Sequence, residues 1–372
     1  MLQNTLGVRL ILWAGSTVPL PVPYDLIKSI TNVTVTNDAD QGDGFQITVG
    51  MAKGNAGEFD ALASGALDLF NRVVIGVLIG LQPEVLIDGI ITNHELAPSD
   101  EPGRSTLTVT GKDVSIMMDL EEKDASFENQ PDFMIATRII ATYAQYGLVP
   151  VITPTTDVPI MIQRIPRQSE TDLQFIRRLA RANGFIFYVE PLTFGANTAY
   201  FGVENRLGIP QSAITIGMGS WTNAKSLRFS NDGLAPVSTE GSFVEPISKS
   251  DIPIPSLPSL RIPPLAAKPT PARRKVILRE TANADPSQAV TTAVATVTRT
   301  PEAVTGSGEV DTERYGAILR ARRLVGVRGV GLSYDGFYYV RSVTHNISLG
   351  GYTQRFSLSR EGTGALLPAV IP

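Results

Sequence analysis

The chain has 372 residues, 43% of them hydrophobic and only 18% charged, a balance that belongs to a folded protein with room for several cores and excludes disorder of the whole chain. It has no Cys and two His, His94 and His345, which removes disulfide scaffolds, thiolate zinc sites, cysteine nucleophiles and any three-histidine metal site within one subunit. The formal charge of -4 hides a split: residues 1–132 hold 7 basic and 19 acidic side chains, about -12, leaving 25 of the 32 basic and 17 of the 36 acidic residues for the remainder, about +8.

The opening MLQNTLGVRLILWAGSTVPLP has a short apolar stretch with no basic region ahead of it, and reads as mature protein made in the cytoplasm. Residues Ile27 to Val49 form two alternating β-branched runs around an Asn, Asp and Gly loop, a hairpin pattern. Asp60 to Phe70 is expected as a short helix. Further apolar runs follow at Arg72 to Leu81, Glu84 to Asn93 and Ser105 to Gly111. The longest uninterrupted one, Val73 to Leu81, is far short of the roughly 20 residues that cross a bilayer, so no membrane insertion is expected. Short strands bounded by Gly, Pro and Asp suggest a small β-barrel or tightly curled sheet over the first 125 residues.

At Asp132 the period changes. Phe133, Ile135, Ala136, Ile139, Ile140 and Tyr143 recur at helical spacing, and Gly147 supplies a stop. A second helix follows a polar cap at Ser169 to Asp172, carries the stripe Leu173, Ile176, Leu179 and Ala180, and ends at Asn183-Gly184. Phe185 to Glu190 and Ala199 to Val203 read as paired strands. Ile214 to Phe243 returns to alternation. Pro246 to Pro271 then carries a proline about every third residue, which predicts an extended segment with no ladder of its own. Six basic residues and no acid lie between Arg261 and Arg279, and Asp285-Pro286 is a plausible helix start in the Thr- and Ala-rich stretch that follows. Strand patterns resume at Leu324 to Arg328, Phe337 to Ile347 and Tyr352 to Leu358, the last two joined by Leu349-Gly350-Gly351.

No pattern carries catalytic, metal or cofactor chemistry. His94 beside Glu95, and His345 between Thr and Asn, read as hydrogen-bonded strand residues before they read as general bases. Gly326 to Gly331 and Gly217 to Gly219 lack the strand-to-helix setting and the lysine of a phosphate loop, so they read as turns. Glu121, Glu122 and Asp124 read as a solvated acidic turn rather than a Ca²⁺ site. The basic cluster from Arg261 to Arg279 lacks interleaved aromatics in an acidic chain, which favours protein contact over specific nucleic-acid binding.

Two segments resemble the phage late-control protein D, VgrG and baseplate-hub superfamily: RQSETDLQFIRRLARANGFIFYVE, residues 167–190, and DGFYYVRSVTHNISLGGYTQRFSLSREG, residues 335–362. A weaker match is residues 107–148, where a strand ending in Gly-x-Asp leads into a helix. The resemblance implies a β-rich α+β fold with two tube-like β-barrel domains, an α/β insert and a proline-rich extended arm. The expected domains are 1–125 (first barrel), 126–205 (α/β insert), 206–245 with 310–365 (second barrel), and 246–309 (proline-rich insertion). It further implies a structural, non-enzymatic homotrimer in a phage tail or contractile injection particle, assembled in the cytoplasm. That homotrimer would meet a tail tube protein, other baseplate proteins and a spike made as a separate chain, adapting six-fold tube to three-fold spike and lining the channel. The competing readings are a tail-tip glycosidase or peptidase and a receptor-binding adhesin. The arm is apolar yet proline-broken, so it is expected to dock on a neighbouring subunit, tube or spike through Ile254, Leu257, Leu260, Ile262, Arg273, Arg274 and Lys275.

Overall fold

Alternation of apolar and polar residues is realised as strand pairing through most of the chain. The computed structural model describes residues 8–366 apart from 17, 52–61, 63, 81, 102–103, 158, 160–163, 245–248, 280–285 and 350. The first unit comprises β1 (Val8–Gly15), β2 (Leu20–Pro21), α1 (Tyr24–Ser29), β3 (Ile30–Asp38), β4 (Gly44–Met51), β5 (Arg72–Ile79), β6 (Gln82–Ala97) and β7 (Ser105–Asp113). The middle contains β8 (Glu122–Ser126), α2 (Asp132–Ala141), β9 (Leu148–Ile152), β10 (Arg167–Thr171), α3 (Asp172–Ala182), β11 (Ile186–Thr193) and β12 (Ala196–Gly202). The later unit begins with β13 (Gln211–Thr215) and β14 (Ala224–Asn231). After it come β15 (Val237–Val244), β16 (Asp251–Ile254), β17 (Ala266–Pro269), β18 (Arg274–Ile277) and α4 (Pro286–Arg299). The chain closes with β19 (Val304–Asp311), α5 (Thr312–Tyr315), β20 (Leu324–Arg328), β21 (Gly336–Ser348), β22 (Gly351–Arg360) and β23 (Gly362–Ala365). Most of the helix expected at Asp60 to Phe70 lies outside the described residues or forms turns.

The two β-units are not separate. Thirteen strands make one sheet, whose main path runs β14-β19-β22-β21-β3-β4-β7-β6-β5-β1-β2 and joins the units where β21 pairs antiparallel with β3, from Ser342 opposite Asp38 to Ser348 opposite Asn32. Among the described residues this path is open and closes neither unit into a barrel. Val33, Val35, Ile47, Val49 and Val109 of the first unit pack in the same core as Ile347 and Tyr352 of the later one. Each unit thus covers what would otherwise be an exposed sheet edge of the other.

The halves flanking that junction repeat one topology. β3, β4, β6 and β7 lie in the spatial order first, second, fourth, third, and so do β14, β19, β21 and β22. Their irregularities coincide too. The first strand of each set is bulged near its start, between Ile30 and Asn32 and between Ala224 and Ser226. The third is bulged between Ile91 and Asn93 and between Val340 and Ser342. Bulges bend and re-aim a strand at a set place, so two in matching positions mark a shared unit and not two chance sheets.

Between the units, α3 starts where Thr171 Oγ1 accepts from the Gln174 N–H at 3.3 Å, and its buried Leu173, Phe175, Ile176 and Leu179 share a core with Phe187 and Val189 of β11. Gly184 follows with φ 69°, a left-handed turn that costs glycine little. The proline-rich segment departs from the sequence expectation. It does form ladders: β16 and β18 flank β15, and β17 pairs with β23. Pro253 is accommodated opposite Ser242 because β16 is an edge strand, where a missing N–H costs no ladder bond.

Candidate assembly surface

One face of the joined sheet is apolar and buried. The other is a field of hydroxyls and amides that crosses the junction: Thr34 and Thr36 on β3, Gln46 and Thr48 on β4, Thr108 and Thr110 on β7, and Thr344 and Asn346 on β21. These positions alternate with Val33, Val35, Ile47, Val109 and Ile347, so period-2 patterning puts all of them on one side. Thr36 and Thr344 hydroxyls meet at 3.3 Å across the junction, and Asn32 Nδ2 donates to Thr34 at 3.2 Å. Ser342 and Ser357 hydroxyls are 2.6 Å apart beside them. None of the eight carries a charge; Lys112 of β7, Glu95 of β6 and Arg355 of β22 add charges to the same side of the sheet.

Buried ion pairs hold the parts behind this face. Arg322, just before β20, grips Asp43 of the β3–β4 turn with both ends of its guanidinium and stacks 4.3 Å over the Tyr188 ring of β11. Arg72 of β5 binds Asp88 of β6 at 2.6 Å, and Asn197 of β12 reaches the same carboxylate at 2.9 Å, fixing the middle region to the first unit. Glu204 accepts from Arg261 at 3.1 Å, from Arg206 at 3.1 Å and from Arg341. Burial pushes the Glu204 carboxyl up, but Arg261, Arg341 and Arg206 outweigh it and hold it at about 2. Arg206 continues to Glu302 at 2.6 Å and to Glu361 at 3.3 Å. No sequence signal marks these residues, because apart from Glu204 and Arg206 the partners lie from 16 to 279 positions apart.

The arm residues scatter. Ile254 is buried against Phe243, Ala289 and Ala293 of the same chain. Leu257 and Leu260 are half-buried, with the Leu260 N–H donating to Thr298 Oγ1 at 2.9 Å. Ile262 is 63% exposed, and Arg273, Arg274 and Lys275 are exposed around β18, Lys275 bridging to Glu240 at 3.2 Å. The structure therefore leaves Ile262 and the basic triplet at the surface and takes Ile254 into the fold.

The remaining candidates sit in structural settings. His94 bonds the Leu67 carbonyl through Nε2. His345 is fully buried, with Nδ1 2.8 Å from the Tyr352 hydroxyl, and burial together with the Arg320 charge pushes its imidazole down to about 3. Gly217, Gly219, Gly329 and Gly331 all have positive φ, as turns require. Glu122 and Asp124 lie on β8, paired with β10, and Asp124 accepts from Ser169. Among the described residues no group of three or more potential metal ligands occurs.

Among the described residues several strand edges are open, and two of them end the repeated four-strand units. β14 pairs with β19 on one side only. The later half of β6 has β7 on one side, but its pairing with β5 spans only Gln82 to Ile90, so Asn93 to Ala97 has no second strand among the described residues. Open edges of this kind are pairing templates.

No family model matches the sequence, and no curated protein matches it significantly. Solved structures do. A tail protein from Neisseria meningitidis superposes with a TM-score of 0.65 at 14% identity, over 95% of this chain and 97% of that one. The 43 kDa tail protein of prophage MuSo2 from Shewanella oneidensis gives 0.63 at 14% identity, over 95% and 99%. An Escherichia coli protein described as a component of the type VI secretion system gives 0.55 at 13% identity, over 92% and 77%. The chain therefore shares its β-rich fold with these phage tail proteins and this secretion-system component.

Proposed function

We propose that this chain is a structural hub subunit of a phage tail or related injection particle, forming a homotrimeric ring between a six-fold tube and a separate three-fold spike. The observation that carries the reading is the repeated four-strand unit. One chain presents the same topology twice, side by side in one sheet and running in the same direction, so three chains offer six like units to a tube above. The hydroxyl- and amide-rich face spanning β7, β4, β3 and β21 is then the wall of the channel, and each chain contributes a continuous, barrel-like segment of it. Exposed Ile262 and the basic residues around Arg274 are the surface for other baseplate proteins. The fold shared with tail proteins supports this placement over a tail-tip enzyme or an adhesin, and the chemistry is geometric: matching symmetries through equivalent contacts. Class averages of the purified protein test it. A ring with three-fold symmetry and a central opening is expected; a monomer at high concentration, or a closed particle without an opening, overturns it.

A further inference from the structure

Within the chain, the third strand of the later unit, β21, pairs with the first strand of the earlier unit, β3. The same operation applied once more brings β6, the third strand of the earlier unit, against β14, the first strand of the later unit, in another copy. Both edges are open among the described residues. We infer that Asn93 to Ala97 of one copy pairs antiparallel with Arg228 to Asp232 of the next, and that this is the seam between copies. The inference rests on the ring reading above and adds the surface and register by which the ring closes.

The register follows from the ladders. Thr34 faces Gln46, which faces Thr110, which faces Asn93. Arg228 faces Ser307, which faces Ser357, which faces Ser342. Asn93 is therefore the counterpart of Ser342, and Arg228 of Thr34; with that alignment both pairs of bulges fall at the same place. Ser342 opposite Asp38, Thr344 opposite Thr36, His345 opposite Val35 and Asn346 opposite Thr34 then translate directly. Asn93 meets Asp232, Glu95 meets Ser230, Leu96 meets Phe229, and Ala97 meets Arg228.

The chemistry of those pairs fits the two faces. Glu95, Ala97, Ser230 and Arg228 fall on the polar side, with Glu95 diagonal to Arg228, within reach for a favourable cross-strand charge pair. Leu96 and Phe229 fall on the apolar side. Leu96 is 42% exposed in the single chain, whereas its counterpart His345, already covered by the junction, is 0% exposed. The direction also agrees with the acidic excess of residues 1–132 and the basic excess of the remainder.

Among the described residues no strand lies beside Asn93 to Ala97. The Phe70 N–H donates to the Ile91 carbonyl at 2.9 Å and the Ile91 N–H to Asn71 at 3.0 Å, just before the open stretch. The same covering turn sits beside β21, where the Arg322 N–H donates to Val340 at 2.8 Å and the Val340 N–H to Arg323 at 2.9 Å, and β3 pairs directly beyond it. Phe70 and Arg322 share even a left-handed φ of 63°. Arg322 reaches across its junction; Phe70, 58% exposed, holds the equivalent place at the seam.

The absence of Cys makes the test direct. The double variant Glu95→Cys with Ser230→Cys is expected to give covalent multimers under mild oxidation, resolved on a non-reducing gel, while either single variant and the displaced pair Glu95→Cys with Ser226→Cys do not. In parallel, Leu96→Asp, at an exposed position that the monomer's fold does not need, is expected to weaken assembly by about tenfold or more in sedimentation without lowering the monomer's melting temperature. Rings that assemble without the in-register cross-link, or that tolerate Leu96→Asp, overturn the seam and leave the ring reading intact. Cross-linking of the displaced pair alone overturns the register. A chain that stays monomeric at high concentration overturns ring and seam together.

Discussion

Arg322 and Asp43 form a two-pronged ion pair across the junction of the two β-units, with side chains 3% and 2% exposed. Asp43 also accepts from Asn37 Nδ2 at 2.8 Å and the Asp38 N–H at 2.9 Å, so its carboxylate organises the turn that ends β3. Arg322 donates as well to the Asp38 carbonyl at 2.6 Å. Removing one partner leaves the other charge enclosed and unpaired. Asp43→Ala is expected to cost about 3–5 kcal/mol, and adding Arg322→Met should return part of that loss. Denaturant midpoints of the single and double variants check both.

Leu179 belongs to the core beneath α3, 4% exposed between Ile176 and Ala180 and sharing that core with Phe187. Leu179→Ala is expected to cost roughly 2–5 kcal/mol through lost burial and the cavity left behind. Thermal denaturation measures it, and a loss below about 1 kcal/mol would mean that the helix does not pack as observed.

His345 makes stability depend on pH. Its folded-state imidazole is held down to about 3 from a usual 6.5, so between those values the unfolded chain binds a proton that the folded chain refuses. Stability is therefore full above about 6.5 and falls as pH drops, with a slope of up to about 1.4 kcal/mol per pH unit. Glu204 is held below its usual 4.5, so its own contribution is lost only as pH falls below that value. The difference between the parent chain and a His345 variant over pH 6.5 to 5 reads the His345 contribution, because Asp113 and Asp132, whose carboxyls burial pushes up, are common to both. His345→Gln should flatten the slope there and leave the acid limb below pH 4.5 in place.

Glu361 ties the proline-rich segment to β22 and β23. Its Oε1 accepts the backbone N–H groups of Leu265 and Ala266 at 2.5 and 2.6 Å, next to the buried Leu265 side chain. Glu361→Ala leaves two amides without their acceptor, about 1–3 kcal/mol for each that stays buried. Limited proteolysis is expected to cut between Pro255 and Pro264 in the variant well before it cuts the parent chain.

Local patterning carried much of the architecture. The cap, stripe and Asn-Gly end of α3 all fall between Ser169 and Gly184, and the alternation of β3, β4, β21 and β22 follows from which side chains water excludes. The proline-rich segment shows where local reading stopped. Proline opposes a central strand, but whether Asp251 to Ile254 becomes an edge strand depends on β15 being there to receive it.

What the sequence by itself determined is most of the strands and helices outside the proline-rich segment, their two-sidedness and the resemblance to phage tail proteins, since these depend on residues near one another in the chain. Only the tertiary structure decided that β21 meets β3, that the two units are one repeated motif, and that Asp43 finds Arg322 across 279 positions. The four-strand units share topology and bulge positions but few residues: Asn37-Asp38 corresponds to Asn231-Asp232 and Val49 to Val310, whereas Gly44 corresponds to Thr305 and Phe45 to Gly306. Backbone hydrogen bonding and alternating burial hold a strand in place whatever the side chain, provided that one face can be buried, so the repeat persists in pairing geometry after it has mostly gone from the letters.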